Sequence, residues 1–517
     1  MYPAYFAQTS PDKPAAIAAG SGATLTFAEL DERSAALAGF FYEQGLRTGD
    51  AVAVFLENNL AYFEVAWATL RSGLYMVTVS RYATADDVAY MINDSGAKAV
   101  VSSVSLADVA CESSAAAPAC SLRLMVGGQR SGWLPYEQTV AAASPLATAL
   151  ERKGDHMPYS SGTTGRPKGI RRPLEEGALA DGFMSHAPVH ELYGMDTETI
   201  YLSPAPLYHT APIQFCLRVQ TAGGTVVMME RFDAQAALEA IQRFRITHSQ
   251  WVPTMFVRML KLPDAERLDW DLSSHRCAIH AAAPCPVVVK RQIIEWWGPI
   301  VEEYYAGSER NGSTRISSDE WLAKPGSVGK PSNCAVHICN EDGTEQPVGE
   351  AGIVYFDQPG ANFVYHNAPD KTRDSTHAQN SSWTTLGDVG YLDEDGYLFL
   401  TDRKSFMIIS GGVNIYPRII EDALIVHPDI TDVAVIGVPN EEFGEEVKAI
   451  VEPASGVTPG PELEQRIIAF AREQLAHYLV PRSVDFLAQM PRLPTGKLPK
   501  RILRDPYWKQ SVGATRI

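Results

Sequence analysis

The sequence predicts an α/β protein with a large N-terminal unit and a small α+β unit at its C-terminal end. Its 517 residues exceed what one hydrophobic core can serve, so two or more structural units are expected. In the first half, strand-like and helix-like segments alternate, which indicates parallel sheets covered by helices on both faces. After about residue 403 the segments shorten, and the remaining stretch has the size of one small domain.

Apolar runs and helical periodicity define the first elements. The run AVAVFLEN (51–58) predicts a buried strand, and a helix is expected from about Leu60 to Ser72. The segment that begins at FDAQ predicts another helix, which is followed by a strand at 246–252. Two stretches rich in Ala and Ser, 112–119 and 138–150, and one polar stretch, 368–382, predict surface connections.

A further helix is predicted before the strand-like run KAVVSS. Thr84 is a suitable N-cap, and Gly96 supplies the stop signal. A buried stripe is expected from Val88, Met91 and Ile92. In the C-terminal unit, DVAVIGV and EVKAIVEP predict neighbouring strands and SVDFLA a further strand, while one helical face is formed by Leu463, Ile467, Phe470 and Ala471.

Composition limits the function. A hydrophobic content of 45% argues against disorder, and the net charge of −17 disfavours a general binder of nucleic acid or anionic membranes. No apolar run is long enough for a membrane span, and the first residues lack the pattern of a secretory signal. Seven scattered cysteines suggest a reducing cytoplasm. Any anionic ligand therefore needs a local basic pocket.

Three potential metal ligands, Cys334, His337 and Cys339, lie close together in CAVHIC. This stretch alternates as a strand does and has no second ligand pair nearby. A packed strand is therefore favoured over a zinc site.

The stretch YSSGTTGRPKGI (159–170) has almost no apolar surface but many hydrogen-bond donors. Its glycines allow close approach of the backbone, and successive N–H groups can form an anion-binding concavity. Lys168 is followed by Gly169, so the stretch does not match the usual P-loop pattern. A phosphate chain is the expected ligand, and the alternative is a flexible surface loop.

Three further segments support a nucleotide site. EYYAGSERNGST places Glu309 after Tyr305 and Ser308, at a predicted strand end. LGDVGYLDEDGYLFLTDRKSFMIISGGVNIYP contains Asp388 and Arg403, and PRLPTGKLPKRILR contains Lys497 in a Pro/Gly-bounded loop.

With these motifs in this order, the sequence resembles the superfamily of adenylate-forming enzymes: acyl- and aryl-CoA synthetases, firefly luciferase and nonribosomal-peptide adenylation domains. The resemblance covers nearly the whole chain, and SSGTTGRPKGIRRP, AAAPCP and EYYAGSE are most similar to the acyl-CoA synthetase branch. It implies an N-terminal adenylation core, residues 1–402, of doubly wound sheets plus a distorted β-barrel. Residues 403–517 would form a small mobile α+β domain.

The resemblance also implies a two-step ligation that uses ATP, Mg²⁺ and coenzyme A. A carboxylate attacks the α-phosphate of ATP to give acyl-AMP and pyrophosphate, and a thiol then displaces AMP. The departing phosphates would be held by Ser160, Ser161, Gly162, Thr163, Thr164, Gly165 and Lys168. Mg²⁺, which prefers oxygen ligands, would be held by Thr164 and Glu309; for a lone Glu the alternative is a surface salt bridge.

The nucleotide itself is assigned to residues outside the phosphate-binding stretch. The adenine would lie between Tyr305 and the backbone of Ala282 and Ala283; the alternative for Tyr305 is core packing. The α-phosphate would accept from Ser308. Asp388, whose two oxygens suit a pair of hydroxyls, would bind the ribose together with Arg403.

Lys497 is the expected catalytic residue of the first step, where a fixed ammonium offsets charge on the carboxylate and the α-phosphate. The alternative is a solvated lysine like Lys500. His209 is expected at the acyl tunnel, although a core histidine is nearly as well supported. Trp251 and Arg310 are candidates for the acyl pocket. Arg310 stands where this branch commonly has Gly, and a surface arginine is the simpler alternative.

Two positions depart from the family pattern. The hinge position is Ser405, where Asp or Lys is usual, and Val413 stands where acyl-CoA synthetases usually have Glu. Both belong to the thioester-forming segment, so the second step is less well supported than adenylation. The alternatives are an adenylating enzyme that loads a carrier protein or partner enzyme, or a non-catalytic nucleotide-binding relative. With no charged cluster evident along the tunnel, a lipophilic or aromatic monocarboxylic acid is expected.

Overall fold

The computed structural model describes residues 2–160, 166–182, 189–360, 363–403, 406–411, 413–440, 442–492 and 498–513. Within these ranges the strands form four sheets, and the largest has thirteen strands. In spatial order these are Ala335–Cys339, Gly352–Asp357, Trp383–Leu392, Leu398–Arg403, Ser327–Pro331, Ser313–Ile316, Val301–Ala306, Cys277–His280, His248–Trp251, Ile200–Ser203, Thr225–Met228, Pro14–Ala18 and Thr24–Thr26.

The chain changes direction within this sheet at Ile200–Ser203. From that strand it crosses to Thr225–Met228 on one side and then to His248–Trp251 on the other, and these strands are parallel. Open α/β sheets bind ligands beyond the carboxyl ends of their strands at such a reversal. From Val301–Ala306 onwards the strands pair antiparallel. The strand predicted at 246–252 is confirmed.

The second sheet has six strands, and each neighbouring pair is parallel. Its strands are Leu134–Pro135, Leu122–Val126, Ala97–Ser103, Ala51–Phe55, Tyr75–Thr78 and Asp155–His156. Every residue of Ala51–Phe55 is buried, and the helix Ala61–Arg71 follows it. Both predictions for this stretch are confirmed, as is the doubly wound α/β class.

The helix Ala85–Ser95 begins and ends where the sequence predicts. The side chain of Thr84 accepts a hydrogen bond from the backbone N–H of Asp87 at 3.2 Å, and Gly96 has a left-handed φ of 64°. The predicted stripe residues Val88, Met91 and Ile92 are buried.

The α-helices include three in stretches that were predicted to be connections. Residues 107–115, 136–142 and 369–374 are helical, so that prediction was wrong in part; alanine favours helix, which explains the first two. The described helices are Pro3–Thr9, Phe27–Glu43, Ala61–Arg71, Ala85–Ser95, Ala107–Ala115, Tyr136–Ala142, Val189–Tyr193, Thr210–Thr221, Ala234–Phe244, Pro253–Leu260, Asp264–Arg267, Val287–Trp297, Ser318–Ala323, Pro369–Asp374, Pro417–Leu424, Pro461–Gln474 and Lys500–Gly513.

The C-terminal part has its own sheet and core. Its strands are Val413–Ile415, Ile408–Ser410, Gly444–Pro453, Ile430–Asn440 and Ser483–Phe486. The predicted strands pair as expected, and three of the four predicted helix-face residues, Leu463, Ile467 and Ala471, are buried. The boundary between residues 402 and 403 stays a prediction.

The predicted strand around His337 is present as Ala335–Cys339. His337 stacks on Trp383 with ring centroids 3.6 Å apart, and its Nδ1 lies 2.5 Å from Glu345 Oε1. The described residues include no group of three or more His, Cys, Asp or Glu side chains suited to a metal ion. No helix within the described ranges is long and apolar enough to cross a membrane.

Candidate active site

A short antiparallel pair holds the two ends of the predicted phosphate-binding stretch. Ser160, at the end of Tyr159–Ser160, lies opposite Lys168, which begins Lys168–Arg171. A third strand, Val364–Tyr365, pairs with Lys168–Arg171 on its other side. The predicted ligands Ser161, Gly162, Thr163, Thr164 and Gly165 lie outside the described residues, so their roles stay predictions.

Lys168 and Glu309 lie near each other beside one tyrosine. The Lys168 ammonium is 5.7 Å from the ring centroid of Tyr365, whose hydroxyl donates to Glu309 Oε1 at 2.7 Å. Burial and the neighbouring Lys371 lower the pKa of Lys168, and Glu309 opposes this shift. Glu309 itself is buried. A cation and a carboxylate therefore lie next to the proposed phosphate loop, and no motif in the sequence pointed to Tyr365.

The predicted adenine and ribose residues meet between neighbouring elements of the large sheet. The Tyr305 hydroxyl donates to Asp388 Oδ2 at 2.6 Å, and Asp388 is buried. Arg403 is the register partner of Asp388 in the adjoining strand. The ring of Tyr305 lies 5.6 Å from that of Phe356. Tyr305 thus packs against Phe356 and also donates a hydrogen bond to Asp388, the residue proposed to bind the ribose.

The backbone after the strand Cys277–His280 is strained at Ala282. This residue has a φ of 73°, a conformation that non-glycine residues rarely adopt, and it is exposed. Ala283 follows it in the same loop, at the carboxyl end of a parallel strand. Such strain is concentrated at functional sites, which agrees with the predicted backbone contact to adenine.

Ser308 links the strand end to the helix Thr210–Thr221. Its Oγ lies 2.9 Å from Thr210 Oγ1, and its carbonyl oxygen accepts from Arg172 at 3.1 Å. Arg172 also forms an ion pair of 2.9 Å with Asp155. The predicted α-phosphate donor is therefore held at the N-terminus of a helix, which favours negative charge. Sequence reasoning missed Arg172, although it lies in the same basic run as Lys168.

The two predicted aromatic pocket residues have different positions. His209 is the N-cap residue of Thr210–Thr221 and packs on Tyr208 with ring centroids 4.2 Å apart. Trp251 is 1% exposed, donates to Ser249 Oγ at 2.5 Å and packs against Phe256. Trp251 borders the cleft but is mainly a core residue.

Arg310 adopts a left-handed φ of 55°, a conformation that glycine reaches at no steric cost, which agrees with the glycine expected here from the family resemblance. Its Nη1 lies 3.5 Å from Asp155 Oδ1. Burial, followed by repulsion from Arg172 and Arg218, lowers the pKa of Arg310 to about 10, although Asp155 raises it. The structure thus favours an inward-facing arginine over the surface alternative.

Four polar residues that the sequence did not single out line the same cleft: Gln214, Arg218, Gln250 and Tyr304. Of these four residues only Arg218 is charged, so the expectation that the tunnel has no charged cluster stays a prediction. A helical reading from Thr210 could have found the first two, since Gln214 and Arg218 follow it at intervals of four residues.

The remaining predicted residues belong to the C-terminal part. Lys497 and Ser405 lie outside the described residues, and their roles stay predictions. Val413 begins the strand Val413–Ile415 and is 46% exposed. An exposed position fits a surface that meets another molecule or domain.

Comparisons with known proteins agree with this geometry. The family model described as "AMP-binding enzyme" matches residues 4–365, and "AMP-binding enzyme C-terminal domain" matches 419–497. Feruloyl-CoA synthase of an Amycolatopsis species is 32% identical, with 93% of this chain and 94% of that protein covered. Long-chain-fatty-acid–CoA ligase of Mycobacterium tuberculosis is 29% identical, with 97% of each chain covered.

Among solved structures, the amide bond synthetase McbA from Marinactinospora thermotolerans matches with a TM-score of 0.79 at 26% identity. The match covers 98% of this chain and 99% of that one. The resemblance inferred from the motifs is thereby confirmed. The chain belongs to the AMP-binding enzyme family, within the superfamily of adenylate-forming enzymes.

Proposed function

We propose that this protein is an ATP-dependent acid–CoA ligase that activates a lipophilic or aromatic carboxylic acid as acyl-AMP and then forms the CoA thioester. The observation that carries the proposal is the meeting of three groups at one cleft. They are Lys168 with Glu309, the Tyr305–Asp388 pair, and Ser308 at the start of Thr210–Thr221. The names of the CoA ligases to which the chain is similar support the same activity.

In the first step, a carboxylate oxygen of the acid attacks the α-phosphorus of ATP. The bond to the bridging oxygen of the β-phosphate breaks, and pyrophosphate leaves with that electron pair. Ser160 and Lys168 would hold the departing phosphates, and Ser308 would donate to the α-phosphate. Asp388 would accept from the ribose hydroxyls, while Lys497 would neutralise charge between the two reacting groups.

Glu309 and Thr164 would hold Mg²⁺. The described part of this site fits such an ion, since Glu309 offers a carboxylate, and Mg²⁺ is commonly bound by one or two carboxylates together with substrate phosphates. Bound there, the ion would supply positive charge to the phosphate chain. The Tyr365 hydroxyl donates a hydrogen bond to the Glu309 carboxylate and thereby orients it.

In the second step, the sulfur of coenzyme A attacks the acyl carbon, AMP leaves with the electrons of the broken C–O bond, and the thiol proton passes to solvent. A second candidate transfers the acyl group to another acceptor, such as a carrier protein. It is favoured by the neutral Val413 and Ser405 and by the similarity to an amide bond synthetase.

The test is acid-dependent pyrophosphate release by the full chain with ATP and Mg²⁺, together with thioester detection when coenzyme A is added. Lys497→Ala is expected to lower the rate of acyl-AMP formation by roughly 10²–10³, as for loss of one preorganised donor. Lys509→Ala, at an exposed position of the terminal helix, is the matched control and should leave the rate unchanged.

An unaltered rate in folded Lys497→Ala protein would contradict the proposed role of Lys497. Pyrophosphate release without any thioester would favour the second candidate. Binding of ATP without turnover on any acid would favour a non-catalytic protein.

A further inference from the structure

One wall of the cleft carries hydrogen-bonding side chains beyond the predicted reaction centre. Gln214 and Arg218 lie one turn apart on Thr210–Thr221, and Gln250 lies on His248–Trp251. Tyr304 lies on Val301–Ala306, and its hydroxyl accepts from Gln250 Nε2 at 3.1 Å. Three separate elements therefore present polar groups to the same cleft.

Three atoms of this wall are buried and have no partner among the residues that the structure describes. They are Gln214 Nε2, Gln214 Oε1 and Gln250 Oε1. Gln214 is 6% exposed and Gln250 is 5% exposed. Buried polar side-chain atoms in native proteins are paired in the large majority of cases, and an unpaired one destabilises the fold. Such an arrangement indicates that the partner arrives with a ligand.

The chemistry of these three amide atoms indicates which group of a ligand could pair with them. An amide N–H needs an acceptor, whereas the two amide oxygens need donors. A hydroxyl can serve both, because it donates one hydrogen bond and accepts others. A hydrocarbon would leave all three atoms unpaired, and a carboxylate would leave both oxygens without a donor.

The position along the helix defines the size of the acid. Thr210 touches Ser308, which the proposed function places at the α-phosphate. With a rise of about 1.5 Å per residue, Gln214 lies ~6 Å and Arg218 ~12 Å farther along the helix axis. An acid with one aromatic ring spans this interval between its carboxyl group and a substituent at the far end of the ring.

We propose that Gln214, Gln250, Tyr304 and Arg218 form a polar subsite that binds a hydroxyl group at the far end of an aromatic acid substrate. This inference rests on the proposed function and narrows its substrate class to hydroxylated aryl acids. Arg218 adds positive charge to the wall; burial lowers the pKa of its guanidinium, and the nearby Tyr304 raises it. The hydroxyl would donate to an amide oxygen and accept from Gln214 Nε2.

The experiment compares benzoic, phenylacetic and phenylpropenoic acids, each with and without a ring hydroxyl para to the side chain. The readout is kcat/KM from pyrophosphate release. In at least one pair, kcat/KM should be about tenfold to a hundredfold higher for the hydroxylated acid. The acid without the hydroxyl leaves buried groups of the protein unpaired. Gln214→Leu should remove that preference, so that the two acids of the pair have kcat/KM values within about twofold of each other.

Gln138→Leu, at an exposed position outside the cleft, is the matched control and should keep the preference. Gln250→Leu provides a second variant should Gln214→Leu fail to fold. Equal use of both acids in every pair, or a preference that survives both substitutions, would overturn the subsite.

Failure of the proposed function would be recognised separately, because no acid would then give pyrophosphate. If no acid gives pyrophosphate, calorimetry of the same pairs with AMP-saturated protein still decides the inference. Tighter binding of the hydroxylated acid, lost in Gln214→Leu, supports the subsite without turnover, and equal binding overturns it.

Discussion

The two faces of the strand Val301–Ala306 differ in how their polar groups are paired. Adjacent residues of a strand point to opposite sides, so Tyr305 faces Asp388 while Tyr304 faces Gln250. The hydroxyl of Tyr305 donates to a carboxylate at 2.6 Å. On the other face, Gln250 keeps an amide oxygen without a partner within the described part of the chain. The comparison suggests that the nucleotide meets a face fixed by internal contacts, whereas the acid meets one that retains hydrogen-bonding capacity.

The Tyr305 face also carries a buried ion pair. Glu303 lies on the same side of the strand and accepts from the fully buried Lys290 at 2.6 Å. Burial raises the pKa of Glu303, but attraction to Lys290 and His280 outweighs this, so the pKa lies below its ordinary value. The carboxylate is therefore charged in the folded protein and depends on its partner.

The largest expected effect comes from breaking this pair. Lys290→Met leaves a buried carboxylate uncompensated, which should lower the free energy of unfolding by about 3–5 kcal/mol. Chemical denaturation measures the change. The double variant Lys290→Met/Glu303→Leu is the control and should recover most of the loss. A single variant as stable as the parent would show that this face is not fixed by the pair.

The next prediction concerns the pH dependence of stability, which tests the Tyr305 face through His280. His280 is fully buried 3.5 Å from Glu303, and burial lowers its pKa to about 3 despite the carboxylate. The unfolded chain therefore binds a proton at His280 between pH 6.5 and about 3 that the folded protein does not bind, and stability falls as pH falls through this window.

His280→Gln should reduce the slope of the unfolding free energy against pH, between pH 6.5 and about 3, by on the order of 1 kcal/mol per pH unit. Denaturation at several pH values measures this slope. His477→Gln, at an exposed position, is the control. An unchanged slope in His280→Gln would mean that His280 is charged in the folded state.

The sequence singled out the residues on the Tyr305 face of the strand but not those on the Tyr304 face, and the physical reason is locality. Asp388 and Tyr305 belong to contiguous motifs, so their neighbours along the chain identify them. Gln214 and Gln250 belong to no motif, and they line one cleft only because the fold brings a helix and a strand that are distant in sequence to its border. Trp251 was predicted as a pocket residue, but pairing with Ser249 and packing on Phe256 place it mainly in the core.

The smallest effect tests the comparison directly, with the same substitution on both faces. Tyr305→Phe keeps the ring and removes the hydrogen bond that orients Asp388, so KM for ATP should rise about tenfold, within the range for a hydrogen bond to a charged group. Tyr304→Phe removes the partner of Gln250 Nε2 and should raise KM for the hydroxylated acid by a similar or smaller factor, with KM for ATP unchanged. Steady-state pyrophosphate release measures both constants in both variants. If the two substitutions shifted the same constant, the strand would not separate a nucleotide face from an acid face, and the functional difference between its two sides would have to be abandoned.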